Sequence, residues 1–273
     1  MHSSEIITSR QNPSVRHARN VRDGRVKDQI FVEGLRLCEE AVSAGLEIET
    51  VFVTQRMKDD DRAARLLARL EGAGRRVLTV SESVFDSFSD TRTPQGVAAL
   101  ARRPPTGPEV VEAALPGDAP LLVVMHRVGN PSNAGAMLRV AEAAGATGAV
   151  TTEGSTDLFS PKALRGAMGS AFRLPLWTGA RLEEVLAFCR ARGVRTVSAA
   201  ASAPSAHTDL DWTHARAVIL GPEGEGLSAD EAGAADEQVR IPMRAPVESL
   251  NVAVALGVIL YEAARQRGGG AKG

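Results

Sequence analysis

The chain has 273 residues and a formal net charge of −1, with 44% hydrophobic and 24% charged residues. That is the composition of a globular protein with room for one large or two ordinary domains. No run is long and apolar enough to span a membrane, and the polar, basic residues 1–30 do not read as a secretory signal. Cys38 and Cys189 match no metal-ligand spacing and read as small buried hydrophobes of a reduced, cytoplasmic protein.

Residues 1–28 read as a polar arm with a helical centre after a turn at Asn12-Pro13. Residues 1–30 carry six basic side chains (Arg10, Arg16, Arg19, Arg22, Arg25, Lys27) against three acidic ones. Such an arm either neutralises phosphates or is a solvated basic face. Aromatic residues are only 4% of the chain, which argues against extensive base stacking. Gln29 to Glu33 reads as a strand, and Gly34 opens a helix carrying Leu35, Leu37, Cys38, Ala41 and Val42. Strands follow at Ile48–Val53, Val77–Val80 and Gly96–Ala101, with helices at Ala63–Leu70 and Ser81–Phe88. This alternation predicts a small α/β domain over residues 1–103. Residues 104–119, rich in Pro and Gly, form the linker candidate, with one helical turn at Glu109–Ala114.

A second domain, residues 120–267, opens with the apolar strand Leu121–Met125. A polar loop leads to a helix at Ala134–Ala144, ended by Gly145. Strands are predicted at Gly148–Thr151, Leu174–Trp177, Val194–Ala199 and Ala217–Leu220, with helices at Pro161–Ala171 and Leu182–Ala191. The pattern gives a mostly parallel sheet covered by helices on both faces. The stretch Arg240–Arg265 reads as a strand ending in Ile241-Pro242-Met243, a loop, and a helix from Ser249, whose hydroxyl is the expected N-cap. The body of that helix (Val252, Val254, Leu256, Val258, Ile259, Leu260) is apolar nearly all round. It is expected to be buried on several sides, in this chain or against another. Residues 268–273 read as a Gly-rich tail.

Three polar loops follow strand ends, where ligands bind in open α/β sheets. They are Asn130-Pro131-Ser132-Asn133-Ala134-Gly135, Gly221-Pro222-Glu223-Gly224-Glu225-Gly226, and Ile241-Pro242-Met243 through Ser249-Leu250-Asn251. The glycines permit close backbone approach. Glu223 and Glu225 would repel a pyrophosphate, so the second loop suits a ligand with a positive centre or exposed donors.

In order and spacing, NPSNAGAMLR at 130–139, LGPEGEGL at 220–227 and IPM followed by SLNVAVA within 241–255 resemble the three motifs of the SpoU–TrmH family. ITSRQNP at 7–13 and FVEG at 31–34 resemble the substrate-binding domain of its rRNA-modifying branch. The resemblance covers nearly the whole chain. It implies an S-adenosylmethionine-dependent RNA ribose 2′-O-methyltransferase of the SPOUT type. The expected fold is α/β: a mostly parallel C-terminal sheet with a trefoil knot, plus a smaller ribosomal-protein-like N-terminal RNA-binding domain. The expected state is a homodimer needing no metal.

The resemblance implies roles for residues matching the motifs. Arg139, Asn133, Glu223, Ser249 and Asn251 are the candidate catalytic set. Arginine is effectively always protonated, so Arg139 suits orienting the 2′-hydroxyl and stabilising developing alkoxide charge. Main-chain groups near Ala199, Ala200, Leu220, Gly221, Gly224, Ile241, Met243, Ser249 and Leu250 are expected to hold the cofactor. Arg10, Asn12, Arg22, Arg25, Glu33-Gly34, Arg127 and Arg165 are nominated for RNA. His126 stands where the family often has an acidic residue, and Pro222 where it commonly has a small polar one. The expected substrate is ribosomal RNA. The rivals are a tRNA ribose methyltransferase and a non-catalytic RNA-binding or ribosome-assembly factor; self-protection against a ribosome-targeting antibiotic would be the same chemistry at another nucleotide.

Overall fold

The computed structural model describes residues 6–115 and 119–268. The predicted tail past Gly268 and residues 116–118 of the predicted linker lie outside them. The chain forms two compact units, Met1–Pro104 with Phe159–Phe172, and Pro105–Leu158 with Arg173–Gly273. Residues 159–172, which lie in sequence within the predicted second domain, pack in space with the first unit.

In the first unit the order is α1 (Pro13–Arg22), β1 (Gln29–Glu33), α2 (Leu35–Ser43), β2 (Ile48–Thr54), α3 (Gln55–Lys58), α4 (Asp61–Gly72), β3 (Arg76–Val80), α5 (Glu82–Asp86) and β4 (Val97–Arg102). The Asn12 side chain caps α1 by accepting from Ser14 N, with Pro13 at the first helical position where its missing N–H costs nothing. The strands form a four-stranded sheet in the order β1-β4-β2-β3, antiparallel except for the β2–β3 pair. One face carries a core in which Phe88 packs on Phe31, Phe52 and Phe85 with ring centroids 6.1, 5.1 and 4.9 Å apart. Tilted and edge-on ring pairs of this kind add about 0.5–1.5 kcal/mol each beyond area burial. The residue just before β4 must be a glycine: Gly96 has φ +90°, and a Cβ there would collide with the Thr54 hydroxyl.

The second unit and the segment within it continue as α6 (Pro108–Ala113), β5 (Leu121–Met125), α7 (Pro131–Ala143), β6 (Gly148–Thr152), α8 (Pro161–Ala167), α9 (Ser170–Arg173), β7 (Leu176–Ala180), α10 (Leu182–Ala191), β8 (Arg195–Ala199), β9 (Ser205–Ala206), β10 (Arg216–Leu220), α11 (Ala229–Gly233), β11 (Glu237–Arg240) and α12 (Val252–Gln266). The seven strands are all parallel, in the order β7-β6-β5-β10-β8-β11-β9. β5 and β10 are buried at every position, as expected of central parallel strands covered on both faces. From β5 the chain moves outward to β6 and β7; from β10 it moves the other way, past β8, to β11. The crevice between β5 and β10 is therefore a topological switch point, the usual ligand position in such sheets.

Several predicted boundaries move, three of them for a clear local reason. The helix predicted at Pro161–Ala171 breaks at Met168 and Gly169, which take left-handed φ values of 48° and 95°, so α8 and α9 are separate. The strand predicted to end in Ile241-Pro242-Met243 is β11, which ends at Arg240 and leaves those three residues in loop, where Pro242 has no N–H to continue the ladder. The last helix starts at Val252 and is capped by Asn251, not Ser249: Asn251 Oδ1 accepts from Ala253 N at 2.9 Å and Val254 N at 3.4 Å. α12 buries Ala253, Leu256, Ile259, Leu260 and Ala263, and lies against α7. Its other side leaves Val254, Val258 and Tyr261 at 54, 37 and 57% exposed, so within one chain it is covered on one side only. Among the described residues no helix is long and apolar enough to cross a membrane.

Candidate active site

The loops after β5 and β10 meet at the switch point, and the loop before α12 closes on them. Asn130 caps α7, its side chain accepting from Ser132 N at 2.9 Å. This leaves Asn133, inside the first turn, free to reach sideways. Its Nδ2 donates to Glu223 Oε1 at 3.0 Å, and its Oδ1 accepts from Asn251 Nδ2 at 3.0 Å. Glu223 also accepts the backbone N–H groups of Gly129 and Asn130 at 3.1 and 3.2 Å. Asn251 closes the chain on the N-terminus of α12. One continuous relay, Glu223–Asn133–Asn251, thus joins all three loops.

Burial works to raise the Glu223 pKa, but the hydrogen bonds from Asn133, Gly129 and Asn130 outweigh it and hold the carboxylate below its ordinary 4.5. The relay is therefore anchored on an anion throughout the neutral range. A carboxylate accepting from an amide also fixes the orientation of Asn133: Nδ2 must face Glu223, so Oδ1 must face Asn251.

The second loop is shaped by its glycines. Gly224 and Gly226 have φ +90° and +71°, and Gly226 N returns to Pro222 O at 3.0 Å. Pro222 is compatible with this turn because only its carbonyl is used. Gly221 is set by contact instead: a Cβ there would lie 2.5 Å from the backbone of Gly226 and Leu227. Gly221→Ala is therefore expected to push the loop off the β10 end. It should cost about 1–3 kcal/mol of stability, read as a lower midpoint in thermal unfolding, and weaken ligand binding at this loop. An unchanged midpoint would show that the loop gives way freely.

A second cluster is built on the same β5 loop, and two of its members, Thr152 and Glu231, are not among the predicted site residues. His126 is buried; its Nδ1 lies 3.0 Å from Thr152 Oγ1 and its Nε2 3.1 Å from Glu231 Oε1. Arg127, with φ 51°, reaches the same Glu231 oxygen at 2.7 Å. Burial tends to raise the Glu231 pKa, but hydrogen bonds from Ser228 and His126 bring it below the ordinary value. Glu231 thus ties the β5 loop to the start of α11, where it and Ser228 form a reciprocal capping box. The signal was present as Ser228-x-x-Glu231; its partner His126 was not readable from spacing.

The remaining predicted residues fall outside the relay. Arg139 is exposed on α7 and has no hydrogen-bond or ion-pair partner among the described residues. Ser249 and Leu250 are exposed in the loop before α12. Ile241 and Met243 are half-buried, and among the described residues the segment 241–250 makes one hydrogen bond between backbone groups, from Val247 N to Arg244 O. That loop consequently offers uncommitted main-chain donors and acceptors to a ligand. Ala200 N is committed to Val239 O, and Leu220 O accepts from His126 N at 2.8 Å, so these two groups shape the cleft walls.

Most of the nominated RNA contacts have internal partners. Asn12 is a helix cap. Arg22 is held by Asp23 and by Ser89 O, Arg25 by Asn20 and Asp23, Arg165 by Asp90, and Arg127 by Glu231. Glu33 is 5% exposed and its carboxylate is filled by the 89–91 segment. Arg10 remains exposed. His207 is buried, with Trp212 Nε1 donating to its carbonyl at 2.8 Å. Both cysteines are unpaired and buried, with thiol pKa values pushed up to about 12, chiefly by desolvation.

Residues 120–261 match the SpoU rRNA Methylase family, and residues 31–107 match the RNA 2′-O ribose methyltransferase substrate-binding family. The chain is 33% identical over 264 residues to an uncharacterized tRNA/rRNA methyltransferase of Synechocystis sp., covering 96% of this chain and 94% of that one. It superposes on the AdoMet-bound rRNA methyltransferase from Sinorhizobium meliloti with a TM-score of 0.83 and 28% identity, over 96% of this chain and 97% of that one. The SpoU methyltransferase AviRb from Streptomyces viridochromogenes, in complex with AdoMet, gives a TM-score of 0.83 and 26% identity, over 95 and 100% of the two chains. With both units matched and relatives aligned end to end, the chain belongs to the SpoU rRNA methylase family.

Proposed function

We propose that the protein transfers a methyl group from S-adenosylmethionine to a ribose 2′-hydroxyl of ribosomal RNA. The observation that carries this reading is the Glu223–Asn133–Asn251 relay, which brings three motif loops to one switch-point crevice. The names of the solved relatives, an AdoMet-bound rRNA methyltransferase among them, support the cofactor and the substrate class.

The loops suit this cofactor. Glu223 and Glu225 give the Gly-rich loop a negative field that favours a sulfonium cation over a phosphate, and the open backbone of 241–250 offers hydrogen bonds to its adenosine and methionine parts. When bound, the cofactor supplies an already activated methyl group. The protein's task is to align the acceptor oxygen with it and to exclude competing orientations. In this reading Arg139, exposed and unpaired, orients the ribose and stabilises charge developing on its 2′-oxygen, while the proton leaves to water or phosphate. Asn133 and Asn251 set the loop geometry in which this happens, and Ser249 lies in the loop that receives the cofactor.

The same reading includes a trefoil knot in the second unit and a homodimer. The exposed apolar side chains Val254, Val258 and Tyr261 of α12 are a surface of the kind that a second copy covers. The unpaired, buried thiols suit a cytoplasmic setting.

The test is transfer of labelled methyl from S-adenosylmethionine to undermodified ribosomal RNA and, in parallel, to tRNA, with mapping of the product. The expected result is label on ribosomal RNA at a position whose phosphodiester resists alkaline cleavage. Label on tRNA alone, or on a base, would overturn the substrate or the atom respectively.

A further inference from the structure

Glu33 is a buried carboxylate that the proposed chemistry does not use. It lies at the end of β1, and everything it binds belongs to one short loop. Its two oxygens accept from Ser89 Oγ, from Asp90 N at 2.8 Å and from Thr91 Oγ1 at 2.8 Å. Other groups fix the same loop from outside. Arg22 of α1 donates to Ser89 O at 3.1 Å, Arg165 of α8 binds Asp90 at 2.7 Å, and Gln95 Oε1 accepts from Leu35 N at 2.9 Å. The loop ends at Gly96, where no side chain fits.

A nine-tenths-buried carboxylate is costly unless satisfied, and here it is satisfied by loop groups alone. The result is a surface loop tied by hydrogen bonds to β1, α1 and α8. What it presents outward is polar: Arg92, Thr93 and Gln95 are exposed. Arg92 has no partner among the described residues, in contrast to Arg22, Arg25 and Arg165. Of Arg22, Arg92 and Arg165, the three arginines on or bonded to residues 89–92, Arg92 is the one without an internal partner among the described residues.

We propose that residues 89–96 form a preorganised RNA-contacting loop, in which Arg92 binds the RNA backbone and Glu33 is a positioning residue. The inference deepens the methyltransferase reading and rests on its assignment of RNA as the substrate. A rigid loop with a free guanidinium, a hydroxyl and an amide recognises an RNA segment by phosphate contact and by polar base or ribose edges. It loses little entropy on binding because its conformation is already set. Aromatic stacking is not available there, since Phe85 and Phe88 are buried in the core.

The test is a fluorescence-anisotropy titration of the full-length protein with an unmodified ribosomal RNA transcript across a salt series. Methyl transfer is measured separately. Arg92→Ala is expected to weaken binding about 5- to 10-fold and to lower the slope of log affinity against log salt by roughly 0.7–0.9, one phosphate contact. Arg92→Lys should keep the slope. Glu33→Gln should weaken RNA binding with the slope unchanged, since it misplaces the loop and removes no contact charge. Wild-type affinity and slope in Arg92→Ala would overturn the proposal, whatever Glu33→Gln does to folding. If the protein binds RNA in an Arg92-dependent way yet transfers no methyl group, the loop stands and the activity reading falls. If it methylates RNA and Arg92→Ala binds as wild type, the loop alone falls.

Discussion

Arg139→Ala is expected to reduce methyl transfer by about 10²–10³-fold, the usual cost of removing one donor aimed at developing negative charge. Cofactor affinity should stay within about twofold, because this side chain has no partner in the relay that shapes the cofactor loops. Thermal stability should also hold: an exposed, unpaired arginine on a helix contributes little to folding. Calorimetry with S-adenosylmethionine, unfolding by circular dichroism and turnover on RNA separate these three readouts. Arg139→Lys should recover little, since a point charge on a flexible stem does not reproduce a planar fork of donors. Full activity in Arg139→Ala would remove the residue from the mechanism; a parallel collapse of cofactor binding would recast it as a loop-shaping residue.

Glu223 should give the opposite pattern. Its carboxylate accepts three hydrogen bonds that hold the β5 loop and Asn133 together. Glu223→Ala is therefore expected to lower both cofactor affinity and turnover, by about 10- to 100-fold, in line with charged hydrogen bonds of about 1.5–3 kcal/mol discounted for exposure. Glu223→Gln keeps the shape but presents an NH2 where only acceptors serve, so it should fall between. Because the folded-state pKa of Glu223 lies below its ordinary 4.5, its contribution is fully present above that value. It is lost only as pH falls through the depressed folded value. Cofactor binding by the wild type should thus persist through mildly acidic pH and fail below the ordinary carboxylate range, and Glu223→Gln should lack that acid step. An identical acid profile in the two proteins would show that another group governs it. Asn133→Ala and Asn251→Ala, which break the same relay, should be non-additive with each other.

Much of this was legible from residues in order. Periodicity placed β1 at Gln29–Glu33 and β5 at Leu121–Met125 as found, because strand burial repeats locally along the chain. The three motif loops were found at strand ends for the same reason. Capping was read less well: Ser249 and Asn251 are equally good N-cap residues, and only the backbone turn at Asn251, φ −52° and ψ 138°, decides between them. The apolar run of α12 predicts burial on several sides, in this chain or against another, and a single chain covers one of them.

What composition, pattern and motif determined was the class of element, the approximate limits of each, and the family. What only the tertiary structure decided was partnership. Asn133 meets Glu223 across 90 residues and Asn251 across 118, and Glu33 meets the 89–91 loop across 56 to 58. No local rule encodes those distances, because they depend on strand order, which sets β10 beside β5 and carries the chain past β8 to β11. The same cause explains why several nominated arginines proved committed: a basic residue in sequence is a free charge only until the fold brings a carboxylate or a carbonyl to it.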